Sequence, residues 1–329
     1  MKLRILILIA FVILVFSAFA QVKLGAEVLN IAHRGASGYL PEHTLPAKAL
    51  AYGLGSDYIE QDIVLTKDDV PIIVHDIHLD TVTNVAEVYP GRARKDGRFY
   101  ALDFNLSEIK TLKVNERKDL KTGKSVFPDR FPPGKSTFQI STFAEEIELI
   151  QGLNHSMKKN IGIYPEIKEP EWHKKEGHDI TPIVLKVLAD YGYKTKDDKC
   201  FLQCFDSAEL KRIRNELKCQ LSLIQLLEED CDLKEVAKYA DGIGPSIKML
   251  IKGRTVEGKF EFTDLALRAK EAGLMIHPWT FRVDSLPFSC TKEELMNALI
   301  SGAGIDGIFS DFPDISRDLI NECFRETTE

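Results

Sequence analysis

The feature that most constrains this chain is an alternation, sustained over most of its length, between short apolar runs and amphipathic stretches. A strand that is followed by a helix and then another strand pairs in parallel, because the crossover must be long enough to hold the helix. Nine runs read as strands: 28–32, 58–64, 70–75, 161–167, 200–205, 221–226, 241–244, 274–280 and 306–310. Helical patterns separate them at 43–52, 142–153, 180–191, 207–217, 233–239, 263–272 and 292–301. A closed (β/α)8 barrel has eight strands, so one of the weak pair 221–226 and 241–244 is expected to be peripheral. A doubly wound open sheet also fits the alternation.

The regular pattern fails in two places. Residues 77–141 carry "YPGRARKDGRFY" and "FPDRFPPGKST" and far exceed an ordinary βα connection. We expect an inserted lobe at the C-terminal end of a strand, where barrels carry their chemistry; "YALDFNLSEIKTLK" is too patterned for a disordered loop. At the other irregular place, Lys2 and Arg4 precede an apolar run that ends in Ala18-Phe19-Ala20. That order describes a signal peptide over 1–20, leaving a single domain over 21–329 and a periplasmic location, with secretion as the alternative. No stable membrane insertion is expected after cleavage. The formal net charge of −7 becomes more negative once the leader's two cations are removed, which disfavours nucleic acid and anionic membranes as partners. Homodimer assembly is left open.

Export makes a disulfide available to the six cysteines. Cys200 and Cys204 are excluded as a pair, since four strand residues separate them by about 13 Å. Zinc is a poor fit, because neither a C-x-x-C pair nor matching histidine spacing occurs.

"YIEQDIVLT" puts Glu60 and Asp62 on one face of a strand with Tyr58, opposite Ile59, Gln61 and Ile63. Such a pair is often a solvated strand face, but this strand is apolar at both ends. Two buried acids repel unless a cation separates them. "IGIYPEIKEP" places Glu166 and Lys168 on a common face in the same way. Three carboxylates without paired histidines or thiolates suit a hard divalent ion, Ca2+ or Mg2+. His33 and His75 each follow an apolar run and can exchange protons near neutral pH. Arg34 supplies a planar fork for phosphate oxygens. Together these groups describe phosphoryl transfer at a metal. The other histidines read as structural or surface residues, with His43 a candidate for supporting the site.

The chain resembles the glycerophosphodiester phosphodiesterases, most of all their periplasmic branch, from about residue 29 to 312. The stretch "AHRGASGYLPEHT", "YIEQDIVLTKDDVPIIVHD", "PEIK", "LQCFD", "HPWTFR" and "GIDGIFSDFPD" carry the likeness. His43 stands where many members have Asn, and Cys204 where Ser is common. The resemblance implies a TIM barrel with a small lobe inserted after the third strand. It implies His33 and His75 as the acid–base pair, Glu60, Asp62 and Glu166 as metal ligands, and Arg34 and Lys168 as phosphate-facing cations. Gln203, Trp279 and Phe281 would line the substrate pocket. The implied reaction is hydrolysis of glycerophosphocholine, glycerophosphoethanolamine and similar diesters to sn-glycerol 3-phosphate and an alcohol, with Ca2+ or Mg2+. The alternatives are a phospholipase D-like enzyme acting on intact lipids and a catalytically silent barrel that binds.

Overall fold

A computed structural model describes residues 28–135 and 137–326. The expected signal peptide therefore lies outside the described residues. Eight parallel strands form the barrel: β1 (Leu29–Ala32), β2 (Tyr58–Leu65), β4 (Gly162–Ile167), β5 (Phe201–Cys204), β6 (Ser222–Leu227), β7 (Gly242–Pro245), β10 (Met275–Ile276) and β11 (Gly307–Ser310). They follow the spatial order β10-β7-β6-β5-β4-β2-β1-β11. The segment after β10 closes the ring on β11, with Phe309 N donating to Pro278 O at 3.1 Å and Phe281 N to Phe309 O at 2.8 Å. Helices cover the outside, and their apolar faces pack on the outward strand residues in the largest core cluster. The fold is the TIM barrel, which excludes the open sheet.

Both weak strands, β6 and β7, belong to the barrel, which corrects the expectation that one of them is peripheral. The extra strand is β3 (Pro71–Ile73), which pairs antiparallel with the end of β2, Ile63 opposite Ile73 and Leu65 opposite Pro71. Apolar periodicity marks a strand without its direction, so this hairpin looked like a third barrel strand. The insertion thus follows a hairpin that leaves the barrel and lies between its second and third strands.

The insertion is ordered. Val82, Val85, Phe99, Phe104, Ile109, Leu112 and Val114 form a small core of their own against Val64, Ile72 and Val74 of the hairpin. Short helices Val85–Val88 and Leu106–Ile109 appear within it, the second opened by a capping box between Asn105 and Glu108. A second hairpin, β8 (Ile251–Arg254) with β9 (Phe260–Phe262), follows β7. None of the six cysteines is in a disulfide. Among the described residues no helix is long and apolar enough to cross a membrane.

Candidate active site

The barrel interior is layered by the two-residue period of its strands. Ile31, Tyr58, Tyr164, Phe201, Ile224 and Phe309 fill its centre as an apolar and aromatic plug. Two residues further along each strand the side chain points inward again, now at the C-terminal mouth. Ile31 leads to His33, Tyr58 to Glu60 and Asp62, Tyr164 to Glu166 and Lys168, Phe201 to Gln203, and Phe309 to Asp311. Hydrophobic packing of the plug therefore fixes the height and direction of the polar layer above it. Register pairs Asp62 with Glu166, and Glu166 with Gln203, across neighbouring strands.

Above this layer is a cavity of about 570 Å³ lined by His33, Arg34, Glu60, Asp62, His75, Glu166, Lys168, Gln203 and Trp279, together with Phe205, Thr280 and Arg282. Nine of the ten residues singled out from the sequence thus converge on one space. Phe281 is the exception: it is fully buried in the core between barrel and helices and does not line the cavity. The resemblance places it in the pocket, but the strand alternation breaks at Trp279 and Thr280, which both face the cavity.

The acidic cluster is undercompensated. Burial and then the neighbouring Asp62 push the Glu60 carboxyl well above its ordinary range. Glu166 is pushed up to about 8 by burial, although Lys168 donates to it at 2.7 Å. Burial would also raise Asp62, but Lys168, His75 and His43 hold it well below the usual carboxylate range. Its Oδ1 is buried without a hydrogen-bond partner. One ligand atom each from His43, Glu60 and Asp62 lies within 4.8 Å of the others. A divalent cation fits this surplus of oxygen donors. His43 is occupied as a support: its Nε2 contacts Asp62 Oδ2 at 2.7 Å and its Nδ1 faces the Lys48 ammonium at 3.2 Å. Since an ammonium only donates, His43 accepts at Nδ1 and donates from Nε2. Lys48 itself is fully buried, bonded to the Glu60 carbonyl and 3.2 Å from Glu146.

Each cavity histidine is held from behind. His33 Nδ1 lies 2.6 Å from Asp311 Oδ1, and His75 Nδ1 lies 2.6 Å from Asp76 Oδ1. In both rings that leaves Nε2 for proton transfer. His33 is drawn down to about 4 by burial and then by Arg34, against the pull of Asp311. His75 is lowered by the same two causes, with Lys168 adding to them, but 30% of its side chain remains exposed against 11% for His33. The antiparallel return of β3 explains His75: Val74 N donates to Asp62 O at 3.0 Å, so the next residue arrives beside the acids.

The turn after β1 brings the remaining cation. Arg34 takes a φ of 59°, donates its backbone N–H to Glu60 and puts Nη1 3.0 and 3.1 Å from the two Glu42 oxygens. Gly35 follows at φ 84°, where a Cβ would lie 2.9 Å from the Ala47 backbone, so the close approach of turn and helix requires glycine.

Comparison with known proteins agrees with this geometry. The sequence profile described as the glycerophosphoryl diester phosphodiesterase family matches residues 33–315. A glycerophosphodiester phosphodiesterase of Haemophilus influenzae is 44% identical over 91% of this chain and 91% of its own length. One of Treponema pallidum is 36% identical over 88% and 91%. The chain belongs to the glycerophosphoryl diester phosphodiesterase family. It is an enzyme of phosphodiester hydrolysis. Its fold also matches solved structures, among them an Oleispira antarctica phosphodiesterase in complex with the product sn-glycerol-3-phosphate, with a TM-score of 0.63, 22% identity and coverage of 88% and 96%. A glycerophosphodiester phosphodiesterase of Agrobacterium tumefaciens gives a TM-score of 0.58 at 19% identity, with coverage of 88% and 99%.

In this member of the glycerophosphoryl diester phosphodiesterase family, sequence reasoning missed the groups behind the histidines. Asp311 contacts His33, Arg130 and Arg282, and Asp76 contacts His75 and Arg117. Asp76 had a signal, since it directly follows its histidine in "VHD". Arg117 and Arg130 had none, since both lie outside the lobe's one patterned stretch.

Proposed function

We propose that this protein hydrolyses glycerophosphodiesters, such as glycerophosphocholine and glycerophosphoethanolamine, to sn-glycerol 3-phosphate and the free alcohol. The observation that carries the reading is one cavity that joins Arg34 and Lys168 to two histidines, each backed at Nδ1 by a carboxylate. The two cations face phosphoryl oxygens, and Gln203 and Trp279 flank the diester. Glu60, Asp62 and Glu166 would hold a divalent cation, Ca2+ in our proposal with Mg2+ as the alternative, which when bound supplies positive charge against the phosphoryl oxygens.

The two histidines divide the proton work. His33, the more buried and drawn to about 4, is neutral and offers an Nε2 lone pair, so it removes the proton from the attacking nucleophile. His75, the more exposed, protonates the leaving alkoxide from Nε2. Asp311 holds neutral His33 with its proton on Nδ1, which leaves the Nε2 lone pair free to accept, and Asp76 stabilises the imidazolium form of His75, the form that donates from Nε2. Export through residues 1–20 belongs to the same proposal; amino-terminal sequencing of the exported protein should begin at Gln21.

The test is turnover of glycerophosphocholine with Ca2+ and with EDTA, on wild type, His33→Ala and His75→Ala. Both variants should lose about 100-fold or more. On a glycerophosphodiester with a p-nitrophenol leaving group, which needs no protonation, His75→Ala should recover and His33→Ala should not. Full activity of either variant on glycerophosphocholine would sink the acid–base reading. Turnover of liposomes but not of soluble diesters would favour the phospholipase D-like alternative, and no turnover of either a binding barrel.

A further inference from the structure

We infer that the inserted lobe is part of the catalytic machinery, because it delivers one arginine to each of the two carboxylates that orient the histidines. The inference rests on the acid–base reading above. Arg117 places Nη1 2.6 Å from Asp76 Oδ2, while the other oxygen of Asp76 holds His75. The same guanidinium forks onto Glu42, Nη2 at 2.7 Å and Nε at 3.0 Å, and Glu42 in turn grips Arg34. Arg130 places Nη2 2.8 Å from Asp311 Oδ2, while the other oxygen of Asp311 holds His33. It is anchored by two contacts to Asp284, at 2.8 and 3.1 Å, and by the Phe127 ring 3.7 Å beneath its guanidinium.

Neither arginine lines the cavity, so both are positioning residues. A carboxylate with both oxygens engaged cannot swing away from the imidazole, and a fixed imidazole keeps Nε2 aimed at the reacting phosphate. Docking of the lobe and assembly of the acid–base pair are then one event. The two halves are unequal. Asp311 also receives Arg282 Nε from the barrel side at 2.8 Å, whereas the further contacts of Asp76, to Arg117 and the Thr81 hydroxyl, come from the lobe. His75 therefore depends on the lobe more than His33 does.

The experiment compares Arg117→Ala, Arg117→Lys, Arg130→Ala and Arg94→Ala in the full protein with Ca2+, measuring kcat, KM, melting temperature and rescue of kcat by guanidinium chloride at low concentration. Arg94 is the control: it joins the lobe's Asp103 to Glu176 at the barrel, at 2.8 and 2.9 Å, and touches neither histidine partner. Arg117→Ala should lower kcat about 100-fold, and Arg130→Ala about 10-fold. Arg117→Lys, which cannot fork between Asp76 and Glu42, should stay closer to Ala than to wild type. Added guanidinium should restore part of the loss in both alanine variants. Arg94→Ala should lose stability but keep kcat within about twofold. The inference is overturned if Arg117→Ala keeps wild-type kcat, or if Arg94→Ala loses as much. Should Arg117→Ala fail to fold, wild-type kcat in Arg117→Lys overturns it equally. If His75→Ala is inactive while the arginine variants are normal, only this inference fails; if His75→Ala is itself normal, the acid–base reading has failed first.

Discussion

The barrel mouth and the inserted lobe share one cavity, yet they compensate charge in opposite ways. At the mouth, Glu60, Asp62 and Glu166 outnumber Arg34 and Lys168, and burial, with the neighbouring Asp62 adding to it, pushes two of the carboxyls far above their ordinary values. In the lobe, three arginines are each matched with an acid: Arg92 with Glu108, Arg94 with Asp103, Arg98 with Asp80, each at 2.8 Å. These pairs are complete as they stand, and the lobe's exception is Glu116, whose buried Oε2 lacks a hydrogen-bond partner and whose carboxyl burial and then Glu42 push up to about 7. The mouth instead brings three buried acids together, a donor set that suits a cation. Strain of this kind is retained where an added ligand relieves it.

The sharpest way to break this contrast is to remove the surplus. Glu60→Gln is nearly isosteric and deletes one negative charge from the cluster. Hydrolysis should fall about 1000-fold, equivalent to about 4 kcal/mol at the transition state, and Ca2+ affinity measured by calorimetry should fall with it. Unchanged Ca2+ affinity would show that the mouth is not a cation site.

The surplus should also be visible in the metal-free protein as a pH dependence of stability. Glu60 and Glu166 have folded values raised above their unfolded ones, the second to about 8. The folded state therefore holds protons that the unfolded state has released. Stability from this source is full below about pH 4.5 and is lost as pH rises through about 8. In EDTA the melting temperature should decline on the order of 10 °C over that window, and Ca2+ should flatten the curve. A flat profile in EDTA would contradict the charge imbalance.

Behind the mouth, one buried cation is already in place. Lys48 joins the Glu60 carbonyl, His43 and Glu146, and Glu146 is itself raised by burial. Lys48→Met should cost about 3 kcal/mol of stability in denaturant unfolding, because it strands the Glu146 carboxyl. It should also loosen His43 and through it Asp62. A loss under about 1 kcal/mol would mean that Glu146 is simply protonated in both proteins.

How far the sequence discloses each region follows from the same difference. The barrel is legible because strand period and apolar flanks are local, and an E-x-D or E-x-K pair on such a strand points to a polar layer above a plug. The direction of β3 is not local: its pairing depends on the hairpin, so the sequence suggests His75 but not its route back to Asp62. Phe281 is placed in the pocket by the resemblance alone, and the chain after His277 departs from strand alternation, so that Trp279 and Thr280 face the cavity while Phe281 is buried in the core. Arg117 and Arg130 are invisible for another reason. Their role is set by contacts over 41 residues to Asp76 and 181 to Asp311, from stretches of the lobe that have no period to read.

The smallest expected effect tests the completeness of the lobe's matched pairs. Arg98 forks onto Asp80 with two contacts of 2.8 Å, and Asp80, nearly buried, also accepts the Phe99 N–H at 3.2 Å. Arg98→Ala removes the fork but leaves that backbone bond, so Asp80 is left only partly satisfied. The cost should be about 2 kcal/mol, read as a lower urea midpoint with an unchanged slope. Because no cation is awaited here, Ca2+ should not restore the loss, and hydrolysis under native conditions should stay within about twofold of wild type. The mouth variants should behave in the opposite way, with large catalytic losses and a response to Ca2+. If Ca2+ rescued Arg98→Ala, the lobe would share the charge deficit of the mouth, and the contrast between the two regions would collapse.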